Sequence, residues 1–540
     1  KEKVINKLGY NMRLIQVPPI ICLYMWVLFH FFSCQPQKPS NSVDSFPLSE
    51  ITITDIQNSY GNGSFTVRQI VELYLDRIEN IDRNGPKLNS IIIVNPDVLQ
   101  IADSLDQILK LGNEKGALFG IPVLLKDNIN THDQMPTTAG SRILNNSYPP
   151  HDSWVAKKLR DAGAVIIGKA NLSEWANYRA SFSSSGWSGV GGQTKNPYVL
   201  DRNPCGSSSG SAVAVSANLC AVAVGTETWG SIMCPSNANG IVGIKPTVGL
   251  WSRSGIVPIS YTQDTAGPMA RTVRDAAILL GAVTGIDSSD QKTSAGSGNF
   301  YQDYTQFLKE AGLNGKRIGY LKTEEGKHHK VDTLMYRAVR YLKGQGAEII
   351  ELEKLVEGTP YNNSTNVLAY EFKDGLKKYF ASLGENSPIA DLEEAMSATL
   401  SDSLEMLYFN VDRMKNSQSK GSLETKEYNE SLKNMLKAYR SDGIDRVMEE
   451  HQLDAIISPT GSPAWKTDLI NGDNFSLSTS VYAALSGYPN INIPMGFVGQ
   501  VPVGISFFGR AWSEPILLEI AYAYEQGTQH RRSPEFLLSD

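Results

Sequence analysis

The chain alternates between segments whose apolar residues have helical spacing and short segments that are continuously apolar. In 66–82, 97–110 and 153–161, apolar side chains recur every three or four residues, as on one face of a helix. The runs 120–126, Gly-Ile-Pro-Val-Leu-Leu-Lys, and 164–168, Ala-Val-Ile-Ile-Gly, are instead typical of buried strands. Helices that alternate with such strands predict an α/β fold with a layered sheet.

The same alternation continues further along the chain. It predicts helices over 210–218, 272–282 and 333–342, and strands over 89–94, 220–225, 316–321, 348–352 and 454–458. A more polar, helix-favouring stretch from 370 to 450 interrupts the pattern. We interpret this stretch as a helical insertion that covers either the edge of the sheet or a site.

The N-terminal residues have a different pattern. Met12 and Arg13 precede an apolar run over 17–32, which ends at Ser33 and Cys34. The run is shorter than the about 20 residues that a transmembrane helix needs. A basic start, a short apolar run and a small residue are typical of a secretory signal. We therefore predict a signal segment over 1–34 with its start at Met12, then a polar tether over 35–48, and a single α/β domain over 49–540.

Cys34 resembles the lipidated cysteine of bacterial lipoprotein signals, although Phe31 replaces the leucine that is usual three residues earlier. Three alternatives stay open: lipidation at Cys34, ordinary secretion and a membrane anchor. The preferred prediction is an exported lipoprotein of the periplasm or outer membrane, which contacts the membrane only through a lipid at Cys34.

Composition narrows the possible partners. The 540 residues are 41% hydrophobic and 20% charged, which excludes a disordered or collagen-like chain. Lys and Arg number 50 against 56 Asp and Glu, a net charge of -6. Because nucleic-acid binding relies on clustered positive charge, we expect no nucleic-acid partner.

Beyond the signal segment the chain has three cysteines, Cys205, Cys220 and Cys234, with no Cys-x-x-Cys pair. An odd number at these spacings favours neither a disulfide framework nor a zinc site. We expect all three to be small buried hydrophobic residues.

Three segments carry candidate chemistry. Residues 204–211 read Pro-Cys-Gly-Ser-Ser-Ser-Gly-Ser, 225–235 read Gly-Thr-Glu-Thr-Trp-Gly-Ser-Ile-Met-Cys-Pro, and Lys126 ends an apolar strand. Alone, the first is typical of a flexible loop or a phosphate-binding nest, and Ser231 in the second is typical of a helix N-cap. Lys126 is more unusual, because a buried ammonium must be paired, solvated or deprotonated.

Together these segments resemble the amidase signature family. The resemblance extends from about residue 50 to 530, and its motifs are 120–128, 206–210, 225–231, 240–247, 263–268, 487–489 and 502–510. Locally, 186–197 is most similar to bacterial peptide amidases. The resemblance implies a large mixed, twisted sheet covered by helices on both faces.

The resemblance also implies roles for individual residues. Ser231 matches the nucleophile that forms an acyl-enzyme, Ser207 matches a serine that follows a cis peptide bond, and Lys126 matches the base. The seven histidines lie in none of these motifs, so a lysine with a lowered pKa would activate the serine. Neither a metal nor an organic cofactor is expected. The expected oxyanion donors are the backbone N–H groups of Thr228, Trp229, Gly230 and Ser231.

Two residues depart from the family pattern. Trp229 stands where the family usually has Gly or Asp, and a tryptophan does not readily adopt a positive φ. Met233 stands where relatives that act on acidic amides, and the related amidotransferases, carry Arg. Without that guanidinium we expect a neutral or apolar acyl group. Ser207 and Met233 are candidate substrate contacts, with plain core packing as the alternative for Met233.

These observations predict an amidohydrolase that cleaves a carboxamide to an acid and ammonia. Its partner would be a small-molecule or peptide amide, for example a C-terminal peptide amide. Two alternatives stay open. One is a surface binding protein of the same fold that has lost turnover, which only Trp229 favours. The other is the amidase-like subunit of a glutamine-dependent amidotransferase, which the export signal and Met233 both disfavour.

Overall fold

The centre of the fold is a mixed sheet of eleven strands, beside a separate sheet of two. The computed structural model of the protein describes residues 46–112, 116–358 and 361–539. Its strands are β1 (Ile91–Val94), β2 (Pro122–Lys126), β3 (Val165–Ala170), β4 (Trp187–Ser188), β5 (Gly192–Gln193), β6 (Val222–Glu227), β7 (Val242–Lys245), β8 (Thr265–Ala270), β9 (Arg317–Leu321), β10 (Glu348–Leu352), β11 (Ala455–Pro459), β12 (Asn490–Val498) and β13 (Val501–Phe508).

The large sheet has the strand order β1-β3-β2-β6-β8-β7-β12-β13-β11-β9-β10, and β4 pairs with β5 alone. The pairs β3/β2, β2/β6, β11/β9 and β9/β10 are parallel. The remaining neighbours are antiparallel. The large mixed sheet that the resemblance implies is therefore confirmed.

Fifteen α-helices accompany the strands in the described part of the chain. They are α1 (Ile53–Gly61), α2 (Val67–Arg77), α3 (Val98–Lys110), α4 (Trp154–Asp161), α5 (Ser209–Ser216), α6 (Met233–Ala238), α7 (Val273–Val283), α8 (His329–Gly344), α9 (Tyr361–Leu383), α10 (Leu392–Ser401), α11 (Asp412–Gln418), α12 (Lys426–Tyr439), α13 (Asp445–Glu450), α14 (Val481–Ser486) and α15 (Glu514–Thr528). Short π and 3-10 turns lie at Ile78–Arg83, Arg142–Leu144, Glu174–Asn177, Gln291–Gly296, Thr305–Phe307, Gly384–Asn386, Glu405–Leu407 and Arg440–Ile444.

Local sequence accounts for the helix starts that were predicted. The Ser153 hydroxyl accepts a hydrogen bond from the Ala156 N–H and caps α4, as the pattern indicated. At α2 the caps are reciprocal, because the Thr66 side chain bonds the backbone of Gln69 and the Gln69 side chain bonds the backbone of Thr66. The predicted helices and strands are present, with ends that differ by a few residues.

Four strands near the middle of the sheet, β7, β8, β12 and β13, were not predicted as strands. Each is rich in Gly or Pro, which normally weaken or interrupt a ladder. The register of β12 with β13 shifts between Pro494 and Gly496, and this bulge accommodates the proline. Because these strands are buried on both faces, packing against their neighbours determines their extended conformation more than local propensity does.

The register of the parallel strands places the candidate site residues close together. Val123 of β2 pairs with Ile166 of β3 and with Val222 of β6. Parallel strands in this register end at the same edge of the sheet. Lys126, the last residue of β2, therefore lies beside the end of β6, and the loop that contains Ser231 follows β6 directly.

The predicted insertion corresponds to α9–α13, which lie between β10 and β11. Leu368 and Phe372 of α9 pack in one buried cluster with Tyr178 and Ile259. Because Tyr178 and Ile259 also line the cavity described below, the insertion covers a site.

The prediction that all three cysteines are plain core residues was wrong. Cys205 and Cys234 form a disulfide, and Cys220 is a free, buried thiol. The two bonded residues are 29 positions apart in sequence, but their Cα atoms are 5.8 Å apart. The fold brings them together through the packing of two loops, which spacing alone does not indicate.

Glu50–Asp540 form one compact unit. The signal segment over 1–34, Cys34 and the tether up to residue 45 lie outside the described residues, so the domain boundaries stay a prediction. None of the helices in the described ranges has the length and apolar run that a bilayer crossing would need.

Candidate active site

Lys126 is fully buried at the end of β2 and contacts a serine hydroxyl. Its Nζ lies 2.7 Å from Ser207 Oγ and 2.8 Å from Thr226 Oγ1, and it also donates to the Thr226 carbonyl oxygen at 3.3 Å. Asn128 Nδ2 donates to the same Thr226 hydroxyl at 3.0 Å. These contacts hold the amine in one place against Ser207.

Burial lowers the pKa of Lys126 to about 7, while the negative charges of Asp264 and Glu227 act in the opposite direction. A lysine in water keeps its proton at neutral pH. Here the neutral amine, which can accept a proton, is available at neutral pH.

Two other lysines, Lys169 and Lys245, are as deeply buried as Lys126. Lys169 donates to the Ile129 carbonyl oxygen and to Thr137 Oγ1, and it lies 4.0 Å from Asp127. Lys245 donates to two backbone carbonyl oxygens. Among the three, only Lys126 touches a serine, which separates it from lysines with a structural role.

Ser207 is fully buried, and the peptide bond between Gly206 and Ser207 is cis, as the resemblance implies. The Ser173 N–H donates to the Ser207 carbonyl oxygen at 3.1 Å. The next residue, Ser208, donates its N–H to the Ser231 carbonyl oxygen at 3.1 Å. A direct backbone hydrogen bond thus joins the segment of Ser207 to the segment of Ser231.

Ser231 lies between the end of β6 and the start of α6, and the residue is 8% exposed. The sharp turn before it is made at Gly230, whose φ is +82°. A side chain at this position would be strained and would also meet Ser480 Oγ at 2.8 Å. The φ of Trp229 is not positive, so the concern that tryptophan strains this loop is not supported.

Four consecutive backbone N–H groups, those of Thr228, Trp229, Gly230 and Ser231, find no acceptor among the described residues. The following two N–H groups, of Ile232 and Met233, both donate to Glu227 Oε2, at 2.8 and 3.0 Å. Glu227 is buried and is the last residue of β6. Its carboxylate fixes the end of the loop and leaves the preceding N–H groups free.

A second carboxylate holds the start of the same loop. Asp264 Oδ1 accepts the Thr228 hydroxyl at 2.5 Å, and Asp264 Oδ2 accepts the N–H groups of Ile259 and Ser260, both at 2.8 Å. Burial raises the pKa of Asp264 to about 6. Acidic side chains near Lys126 therefore hold the loop at both ends.

Ser231 opens into a cavity of about 340 Å³. Much of its wall is apolar or aromatic, and Ser185, Ser478 and Ser480 also line it. The apolar and aromatic lining residues are Ala176, Tyr178, Trp229, Ile259, Leu368 and Phe475. Such a mixture of apolar walls and a few polar groups is typical of a small-molecule or peptide site.

A second cavity, of about 400 Å³, lies next to the first. It shares Ala176, Thr228 and Ile259 with the first cavity and is also lined by Asn128 and Thr226, but not by Ser231. The nucleophile candidate therefore faces the smaller cavity.

The structure does not place Met233 in the cavity wall. Its side chain is fully buried at the first position of α6, whereas the next residue, Cys234, lines the cavity. This position fits the alternative of core packing. Within the described part of the chain, no group of three or more His, Cys, Asp or Glu is arranged to hold a metal ion.

Sequence reasoning missed five residues of this site. Thr226, Asn128, Glu227 and Asp264 all lie inside the recognised motifs, so their presence there was the available signal. Arg413, which lines the cavity from α11, lies in the polar insertion and had no sequence signal.

Comparison with known proteins decides the family. The Amidase family model matches residues 69–518. A probable amidase of Arabidopsis thaliana is 41% identical over 506 residues, which cover 91% of this chain and 93% of the relative. The chain belongs to the amidase signature family.

Two further relatives bear on the activity of this amidase. The solved structure of native peptide amidase from Stenotrophomonas maltophilia has 44% sequence identity and a TM-score of 0.88, and the match covers 91% of this chain and 99% of that one. A glutamyl-tRNA(Gln) amidotransferase subunit of Microcystis aeruginosa is 34% identical over 515 residues, 90% of this chain and 99% of the relative. This protein is an amidase, a hydrolase of amide bonds, with the fold of the family.

Proposed function

We propose that this amidase hydrolyses neutral or apolar carboxamides, such as C-terminal peptide amides, through an acyl-enzyme on Ser231. The observation that carries the proposal is the 2.7 Å contact between Lys126 Nζ and Ser207 Oγ in a fully buried site. A serine hydroxyl is a weak nucleophile until a neighbouring base removes its proton. Lys126 is the base and Ser207 passes the proton.

The hydrogen bonds around Lys126 suit a neutral amine. Two N–H groups point to Thr226 Oγ1 and to the Thr226 carbonyl oxygen, which leaves the nitrogen lone pair for the Ser207 hydroxyl. As Ser231 Oγ attacks the amide carbon, Ser207 accepts its proton and gives its own proton to Lys126. When the C–N bond breaks, the same route returns a proton to the departing ammonia.

Water then completes the cycle. It attacks the ester carbon of the acyl-enzyme, its proton follows the same path to Lys126, and Ser231 regains a proton as the carboxylic acid leaves. In both steps a negative charge develops on the carbonyl oxygen. The free N–H groups of Thr228–Ser231 stabilise that charge, and each such donor contributes about 2.7 to 4 kcal/mol in the transition state.

The cavity and the relatives support the proposed substrate class. Trp229, Leu368 and Phe475 form an apolar wall near Ser231, and Met233 provides no charged group there. The relative of known structure that is 44% identical is a peptide amidase. An acyl group with apolar side chains, ending in a carboxamide, fits this wall.

The alternative of an inactive binding protein rested on a strained Trp229, and the ordinary φ of this residue removes that support. The amidotransferase alternative is favoured by the 34% identity to the glutamyl-tRNA(Gln) amidotransferase of Microcystis aeruginosa. A substrate panel separates it from the proposal, because it predicts ammonia release from glutamine rather than from peptide amides.

The test measures ammonia release from peptide amides, small aliphatic amides and glutamine. We expect turnover of peptide amides by the wild type and none by Ser231→Ala. Ser478→Ala removes a different hydroxyl from the same cavity and should remain active. A fluorophosphonate should label Ser231 alone; labelling of Ser207 or Ser208 instead would overturn the assignment.

We further propose that this amidase is exported, with a signal over 1–34 and a lipid anchor at Cys34. Support comes from the sequence and from the Cys205–Cys234 disulfide, since disulfides persist mainly in oxidising compartments.

A further inference from the structure

Arg413 brings a positive charge into the cavity that contains Ser231. It belongs to α11 of the helical insertion, far from the recognised motifs in sequence. Among the described residues that line this cavity, Arg413 is the one charged side chain. A charge in an otherwise neutral, largely apolar cavity needs a partner or water.

The protein itself gives this guanidinium few partners. Its Nη1 donates one hydrogen bond, to the Asn177 carbonyl oxygen at 3.3 Å, and its central carbon lies 5.6 Å from the centre of the Tyr178 ring. In the described part of the chain no carboxylate lies within 4 Å of it. A guanidinium has five N–H donors, so most of them remain open.

The neighbouring acid, Asp412, is directed elsewhere. Its Oδ1 accepts the Ser181 N–H at 3.0 Å and its Oδ2 accepts the Ser181 hydroxyl at 2.5 Å. Arg413 is therefore held against the face of Tyr178 and the backbone of Asn177, and its charge is left for a ligand.

We infer that Arg413 binds a carboxylate on the acyl part of the substrate and so extends the substrate class to peptide amides with an acidic side chain. This inference rests on the proposed function. A planar guanidinium binds a carboxylate through two parallel hydrogen bonds, which a lysine cannot do. Because Met233 stands where some relatives carry Arg, the sequence indicated that no guanidinium would face the acyl group. That remains true at position 233, but Arg413 reaches the cavity from a different part of the chain.

The test uses two sets of peptide amides that differ in one side chain: acetyl-X-Leu-amide and acetyl-Leu-X-amide, with X as Glu, Met or Lys. These side chains are similar in length and add no second carboxamide. In at least one set, the wild-type enzyme should prefer Glu to Met and Met to Lys, with about a tenfold difference in KM between Glu and Lys. Arg413→Gln should remove the order, Arg413→Glu should reverse it, and Arg413→Lys should keep it in weakened form.

Lys415→Gln is the matched control, because Lys415 is exposed and lies on the same helix. The substitution changes the net charge by the same amount as Arg413→Gln. It should leave the order intact. Turnover of the Met peptides with no dependence on the charge of X in either set would overturn the inference while the proposed function stands. Absence of ammonia from every peptide would instead count against the proposed function.

Discussion

Cys205 and Cys234 form a disulfide whose two ends lie beside the two serines of the site. Cys205 directly precedes Gly206 and Ser207, and Cys234 lies in the first turn of α6, shortly after Ser231. One covalent bond therefore connects the loop that contains the proposed nucleophile, Ser231, to the loop that contains the proposed proton relay, Ser207. In a site that depends on fixed geometry, such a cross-link limits the separation of the two loops.

We expect loss of this disulfide to lower both stability and turnover. For a separation of 29 residues, chain entropy alone assigns the bond about 3 to 4 kcal/mol of unfolding free energy. A Cys205→Ser, Cys234→Ser variant should unfold at lower temperature than the wild type and should be insensitive to reductant. Cys220→Ala, which removes a buried free thiol and leaves the disulfide, should keep the reductant sensitivity of the wild type. Mass spectrometry that finds the Cys205 and Cys234 peptides unlinked would contradict the prediction.

The pH dependence of the reaction should follow the protonation state of Lys126. Only the neutral amine can act as a base, so kcat/KM on a neutral amide should rise with pH, with a midpoint near the lowered pKa of about 7. An ordinary lysine would place this midpoint above pH 10. The measurement is kcat/KM between pH 5 and 10.

Lys126→Met tests the same point by removal, because it keeps the chain length and loses the amine. We expect kcat to fall by about 10² to 10⁴ and the rising limb near pH 7 to disappear. Thermal unfolding of the variant checks that the fold is intact. A folded variant that retains most of the wild-type rate would remove Lys126 from the mechanism.

Two acidic side chains near Lys126 should shift this midpoint. The charges of Asp264 and Glu227 favour the protonated form of Lys126, Asp264 more strongly. Removing either negative charge destabilises the ammonium and lowers the pKa of Lys126 further. In Asp264→Asn, and to a smaller extent in Glu227→Gln, the rising limb should move to lower pH. A loss of rate without this displacement would assign the two acids a structural role only.

Much of the geometry of the candidate site could be predicted because it is local in sequence. Lys126 ends a continuous apolar run, which identifies both the strand and the buried amine. Ser231 and the free N–H groups of 228–231 lie in one short glycine-containing segment that follows a strand. Once β2 and β6 pair in parallel, these elements must meet at one edge of the sheet.

The features that escaped prediction depend on contacts between distant segments. Nothing in the spacing of Cys205 and Cys234 indicates that their Cα atoms lie 5.8 Å apart. Arg413 enters the cavity only because α11 folds back over it, and a single arginine in a polar segment resembles any surface charge. The strands β7 and β8 contain Gly or Pro, so their conformation comes from neighbouring strands rather than from their own propensity.

Cys34 provides a test of the export proposal. If this residue carries a lipid, Cys34→Ser should release the protein from the membrane fraction into a soluble exported form, because a hydroxyl cannot form the thioether. Fractionation and labelling with a radioactive fatty acid measure this. A wild-type protein that is already soluble after export would show that Cys34 only marks the end of a signal.

Trp229 should act on substrate binding and not on the oxyanion donors. Its φ is not positive, and its indole ring is stacked on Tyr361 of α9, with the ring centres 5.9 Å apart and an angle of 9° between the planes. Trp229 lines the cavity beside Ser231 and connects the nucleophile loop to the insertion. We therefore expect its side chain to form a wall for the acyl group.

We expect Trp229→Ala to raise KM for peptide amides with bulky terminal side chains by about tenfold, because the substrate loses an aromatic contact surface. KM for small aliphatic amides and kcat for all substrates should change little, since the backbone N–H groups stay in place. Tyr361→Ala is the control: it removes the stacking partner and keeps the wall, so it should have a smaller effect on KM. A general rise in kcat in Trp229→Ala would instead mean that tryptophan strains the donors, and unchanged kinetics would mean that the acyl group does not touch this wall.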